Sequence, residues 1–184
     1  QQITSPFSYQ YFSEKGDFIF LKKTEYEIVS AIQTDWNDGN SDKLFQMIDE
    51  NGAETLLFIQ QNKALLAPFE ERPLSLTEAS QFSFKKESYP HYLKRDGDTY
   101  FLDSFKVGIA HIPGIYPPIE SEQWIYKTGD KKKYIRVIDK DDNLKFFVGN
   151  AVTKEDFEEV KILNLNKKPT KAPWIKRYDE DDFV

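Results

Sequence analysis

Only two histidines, His91 and His111, stand in a chain that has no cysteine. One functional reading draws a general base or a metal ligand from one of them. Paired with a carboxylate such as Asp103, either imidazole would pass a proton or hold a metal through a ring nitrogen. The rest of a nucleophilic centre is missing: no serine sits in a Gly-x-Ser-x-Gly turn, and the absence of cysteine removes disulfides, iron–sulfur clusters and thiolate metal sites. Pro90-His91-Tyr92 and His111 beside Pro113-Gly114 read more simply as structural histidines at strand ends. The acidic segment Asp139-Lys140-Asp141-Asp142-Asn143 spaces oxygen ligands as a hard cation requires, but it lacks the turn glycine and downstream glutamate of an EF-hand loop and reads as an exposed hairpin turn. Adjacent acids at Glu70-Glu71 and Glu158-Glu159 read as solvent-facing, because glycosidase chemistry depends on separation in space. No catalytic, cofactor or metal residue is assigned.

Aromatic residues on loops carry more weight. Tyr116 lies among Pro113, Pro117 and Pro118, with Trp124 and Tyr126 just beyond. Together they are the candidate partner-binding surface, because aromatic anchors supply contact area at low entropic cost. Trp124, within an alternating strand, has the competing reading of a core residue.

The elements that must position these residues are announced by turn punctuation. Asn51-Gly52, Asp96-Gly97, Gly129-Asp130 and the acidic segment cut extended, aromatic-rich runs at short intervals, and Asn-Gly and Asp-Gly favour the φ > 0 turns of β-hairpins. At Asn51-Gly52 the expectation is a two-residue type I′ turn. Residues 1–15 read as an extended lead-in. From Tyr26 to Trp36 the chain alternates strictly, with one largely polar face expected to meet water. Leu44–Asp49 and Thr55–Gln60 follow as strands, and the apolar run Leu56 to Ile59 marks burial on both faces. Pro68 and Pro73 close a first half of about residues 16–74, and Ser75–Ala79 suits one helical turn.

A second half, about residues 81–163, repeats the plan. Expected strands are Phe82–Lys86, Tyr92–Arg95, Thr99–Asp103, Lys106–Ile112, Gln123–Lys127, Tyr134–Asp139 and Leu144–Val148. A capping box at Thr153 to Asp156 opens a short helix ending near Val160. Residues 164–184 form a proline-containing acidic tail. The predicted fold is β-dominated (all-β): two similar halves of curled antiparallel sheet built from hairpins and meanders, with one or two short helices.

Length and charge bound the function. A chain of 184 residues holds one well-buried domain. The net charge of −6 argues against sequence-independent nucleic-acid binding, and the short basic runs Lys131-Lys132-Lys133 and Lys167-Lys168 read as solvated turns. No apolar run reaches the length of a transmembrane helix. The chain begins Gln1-Gln2, which leaves the compartment open: the cytoplasm is the default and export after leader removal the alternative.

Gly16-Asp17 before a strand, the Tyr26 to Val29 strand, Gly108, Gly114, Trp124-Ile125-Tyr126 and Phe147-Val148-Gly149-Asn150-Ala151-Val152 together resemble the bacterial domain of unknown function 4178 over roughly residues 16–162. That resemblance implies a β-rich bacterial domain without a defined activity, and it carries no residue roles. The functional expectation is a non-catalytic interaction or accessory module that binds a protein or another macromolecule, without a cofactor. The alternative is a small-molecule-binding or hydrolytic domain using His91 or His111 with nearby carboxylates.

Overall fold

In the computed structural model, which describes residues 7–60 and 68–158, the chain is β-dominated. One continuous antiparallel sheet of ten strands contains β1 (Phe18–Leu21), β2 (Thr24–Trp36), β3 (Ser41–Ile48), β4 (Glu54–Gln60), β5 (Phe69–Pro73), β6 (Tyr92–Arg95), β7 (Asp98–His111), β8 (Ile119–Lys127), β9 (Lys133–Lys140) and β10 (Asn143–Ala151). Two helical turns, α1 (Ser8–Tyr11) and α2 (Leu76–Ser80), accompany it.

The strands run β2-β3-β4-β5 as one meander and β7-β8-β9-β10 as another. β5 pairs with β10 and β2 pairs with β7, so eight strands close into a barrel. β1 and β6 lie outside the ring, each hydrogen-bonded to the first part of the long strand that follows it. The halves therefore match strand for strand. Even the irregularities correspond: β2 shifts register between Ile28 and Ser30, and β7 between Leu102 and Ser104. A bulge bends its strand, which lets each long strand leave its outer partner and enter the ring. The bulge also interrupts the alternation of Tyr26 to Trp36. Ile28 packs outside the barrel with Phe45 and Met47, whereas Ile32, Thr34 and Trp36 point inward.

Each half covers its outer sheet face with the segment that precedes its ring strands. Phe7 and Tyr11 of α1, with Ile19 and Leu21, pack on Phe45, Met47, Leu57 and Ile59. Residues 7–13 are thus partly helical core, where the sequence suggested an extended lead-in. Phe82, Leu93 and, more peripherally, Phe84 and Tyr89 pack on Trp124, Tyr126, Ile135 and Val137. The expected strand Phe82–Lys86 is instead an irregular cover followed by a 3-10 turn at Lys86–Ser88. Glycines mark both seams between the halves. A Cβ on Gly108 would meet the Asp35 carbonyl oxygen at 2.3 Å and the Trp36 ring at 2.7 Å, and one on Gly149 would meet the Glu70 carbonyl oxygen at 2.2 Å and the Tyr134 hydroxyl at 2.7 Å.

Three hairpins use two-residue turns with both central residues at positive φ: Lys22-Lys23, Asp96-Gly97 and Asp141-Asp142. That geometry is type I′. Asn51-Gly52 differs from expectation, because only Gly52 of the pair has positive φ (+80°). The Gly52 amide bonds to the Asp49 carbonyl at 3.0 Å, and the Asp49 amide bonds to the Ala53 carbonyl at 3.0 Å, so the connection is a longer loop closed by a glycine bulge. The Asp49 carboxylate holds it by accepting from the amides of Asn51 (2.8 Å) and Ala53 (2.9 Å). Thr153 and Asp156 do form a capping box, on a 3-10 turn at Lys154–Phe157. The end of that expected helix near Val160 and the acidic tail lie outside the described residues.

Candidate functional site

The inward positions around the ring form three layers. At one end Phe58, Phe69, Ile125 and Tyr134 pack together and plug the barrel. The middle layer is polar. Arg136 donates from one terminal nitrogen to Glu71 at 2.9 Å and from the other to Gln123 at 3.2 Å, its Nε makes an ion-pair contact with Glu71 at 2.8 Å, and its guanidinium carbon lies 3.9 Å from the centre of the Phe58 ring. Side-chain exposures of 2% and 0% put the Arg136–Glu71 pair wholly inside the protein. In the same layer the Trp36 indole donates to the Asp42 carboxylate. Burial lifts the Asp42 carboxyl to about 7, against the opposing pull of Arg136.

The other end is open. Ile32, Leu44, Ile119, Ile138 and Phe147 line a cavity of about 360 Å³ together with Lys140 and Lys145. Ile32, Leu44 and Ile119 are only half-buried although they point into the ring. Beneath this mouth the space narrows onto Thr34, Trp36, Asp42, Ser121, Gln123 and Arg136. The Ser121 hydroxyl and the Gln123 amide nitrogen there have no hydrogen-bond partner among the described residues. Lys140 points into the same space. Burial first, and then the positive charge of Arg136, lower its ammonium to about 8.

This arrangement can take up an apolar body in the mouth and orient a polar head over a floor of donors. A concave apolar site with a few convergent polar groups is the usual form of a small-molecule pocket, and 360 Å³ falls within its size range. Eight strands give an interior wide enough for one small ligand.

The sequence-selected residues are scattered. Tyr116 is 92% exposed, beside Ile115, and borders an outer cavity of about 560 Å³ lined also by Glu120, Glu122, Asp139, Asp141, Asp142 and Lys86. Trp124 and Tyr126 do not join it. Both are 0% exposed beneath the 82–93 cover, where Trp124 packs on Phe84, Tyr89 and Phe105 and the Tyr126 hydroxyl donates to the Pro90 carbonyl at 2.8 Å. His111 pairs with Asp35 at 2.9 Å in an exposed position, and Asp103 pairs instead with Lys127 at 3.4 Å. Neither histidine borders the mouth or the Tyr116 cavity. Lys86 reaches Asp139 (2.7 Å) and Asp142 (3.3 Å), and among the described residues no group of three carboxylates or histidines is placed to hold a metal. Glu71, expected at the surface with Glu70, is instead the buried partner of Arg136.

The mouth residues escaped sequence reasoning because inward polar positions imitate a solvent face. One signal was available in β9, where Tyr134, Arg136 and Ile138 alternate with Ile135 and Val137. Bulky residues on both faces around an arginine imply a strand buried on both sides, and hence a buried charge with a partner. Comparison with family models, with curated proteins and with solved structures finds no match to this chain.

Proposed function

We propose that the protein is a non-catalytic binding module whose barrel mouth holds a small amphipathic molecule, its apolar body against Ile32, Leu44, Ile119 and Phe147 and its oxygen-bearing head toward Lys140 and the polar layer. The observation that carries this reading is the half-exposed inward apolar ring at one end of an otherwise filled barrel. Apolar surface left in water forgoes about 25 cal/mol for each Å², and a ligand that covers it recovers that energy. The unpartnered Ser121 hydroxyl and Gln123 amide give the head group hydrogen-bonding partners. The family resemblance assigns no residue roles, so the reading rests on the barrel alone.

The test is a titration with 1-anilinonaphthalene-8-sulfonate, an apolar anion whose fluorescence reports burial, against the wild type and a Leu44→Trp variant that fills the mouth. Saturable one-to-one binding lost in the variant, with its unfolding midpoint retained, supports the reading. Equal binding by both proteins overturns it.

A second reading, a macromolecular partner, is favoured by the exposed Tyr116 and Ile115 beside the carboxylates of the outer cavity. Their charge suits a basic segment. A lysine-rich peptide whose binding weakens with salt and with Tyr116→Ala, but not with Leu44→Trp, would favour this surface over the mouth.

A further inference from the structure

Lys140 and Lys145, which line one cavity, differ from five other lysines of the chain. Lys22, Lys86, Lys106, Lys127 and Lys133 each have a carboxylate oxygen within 3.4 Å. Among the described residues no carboxylate lies at ion-pair distance from Lys140. It stands on β9 two positions after Ile138 on the same inward face, opposite Ser121 of β8 and next to the turn into β10. Its amine therefore shares a concave, mainly apolar space with Ile32, Leu44, Ile119 and Phe147.

We infer that Lys140 is a carbonyl-capturing amine, which condenses with an aldehyde whose apolar tail fills the barrel mouth. This rests on the mouth being the binding site and adds the chemical class of the head group. The neutral Nζ attacks the aldehyde carbon, and the carbonyl π pair moves to oxygen. A proton passes from nitrogen to that oxygen to give the carbinolamine. Loss of the hydroxyl with the second N–H proton, as one water, leaves a carbon–nitrogen double bond. Amine and aldehyde become imine and water, without oxidant or reductant. An apolar pocket favours the uncharged amine that the first step needs and retains the tail once the bond is formed.

The surroundings support this chemistry. The charged groups that face Lys140 are Arg136 on its own strand, Lys145 of β10, Asp42 of β3, Glu71 of β5 and Asp141 in the turn. The two cations oppose the ammonium, whereas Glu71 is already bound to Arg136 and Asp42 accepts from Trp36. With its ammonium lowered to about 8, Lys140 has at neutral pH a neutral fraction roughly two orders of magnitude above that of an ordinary lysine.

The experiment incubates the whole chain at pH 7 with octanal and cyanoborohydride, which reduces an imine to a stable secondary amine, and maps the octyl groups by peptide mass spectrometry. Binding of 1-octanol, which has the same tail and cannot condense, is measured separately by competition with the fluorescent probe. The expected result is octyl label at Lys140 at least about tenfold above the mean of the other lysines, lost in Lys140→Arg and in Leu44→Trp while surface labelling is unchanged. Octanol binding with label spread evenly over the lysines overturns the inference and leaves the mouth as a binding site. Failure of both octanol binding and selective labelling overturns the two together.

Discussion

Replacing Glu71 with Gln keeps the shape of the side chain but removes the counter-charge of an arginine whose side chain is 2% exposed. A guanidinium keeps its proton in proteins, so the charge stays buried, with Gln123 at 3.2 Å, the Phe58 ring at 3.9 Å and the nearby Asp42 carboxyl for compensation. Breaking a buried ion pair from one side costs about 3–5 kcal/mol. Amide-to-guanidinium hydrogen bonding retained by the new Gln places the expectation near the lower figure, about 3 kcal/mol. Total stability of a domain is about 5–15 kcal/mol, so the variant should still fold. Its urea midpoint should fall by about 1.5 M, taking a denaturant slope of about 2 kcal/mol/M. The double variant Glu71→Leu with Arg136→Met removes both charges and, with matched volume, should lie within about 1 kcal/mol of wild type. Equilibrium urea unfolding of the wild type, Glu71→Leu, Arg136→Met and the double variant forms the cycle, with Glu71→Gln measured beside it. Single losses under about 1 kcal/mol, or a double variant as damaged as the sum of the singles, would refute the reasoning, since the pair would then be either hydrated or not coupled.

The carboxyl of Asp42, raised to about 7, is held protonated more firmly in the folded than in the unfolded chain. Its contribution is therefore fully present below about pH 4 and declines as pH climbs toward 7. Relative to Asp42→Asn, which cannot titrate, the wild type should lose roughly 2–3 kcal/mol between pH 5 and pH 8, and parallel stability–pH curves for the two proteins would contradict this. Gly149→Ala places a methyl 2.2 Å from the Glu70 carbonyl oxygen and should cost about 3 kcal/mol; an unchanged thermal midpoint would show that the seam yields to it. At Lys23, φ is 68° in a type I′ turn, so Lys23→Gly should raise stability by about 1 kcal/mol, and a lower unfolding midpoint would argue against that turn geometry.

The sequence disclosed local pairing well and closure poorly. Asp96-Gly97 announced its hairpin through residues that accept positive φ. Lys22-Lys23 makes the same turn with residues that give no such signal, held there by the strands on either side. β5 was missed because Pro68 and Pro73 read as terminators and Glu71 as solvent-facing; in fact Pro73 is the last residue of the strand. Thr99–Asp103 and Lys106–Ile112 were expected as separate strands and are one, β7, bent at its bulge. The polar face expected of Tyr26 to Trp36 does meet water at Gln33 and Asp35, but alternation did not show that Asp42, Glu71 and Arg136 point into a closed barrel. Of the selected aromatic surface only Tyr116 is exposed. Trp124 and Tyr126 are covered by a segment whose docking depends on tertiary packing that alternation cannot show.

The two seams also set an order of events in time. Within each half, neighbouring ring strands follow one another through short connections, whereas the seam partners are roughly 70–80 positions apart in the chain. Closing so long a loop must be compensated by contacts already in place. The two meanders should accordingly assemble first, and the β2–β7 and β5–β10 ladders should form after the rate-limiting barrier. Damage at Gly108 or Gly149 would then leave the folding rate nearly unchanged and speed unfolding. A protein built this way owes its lifetime in the folded state to the last two ladders it makes.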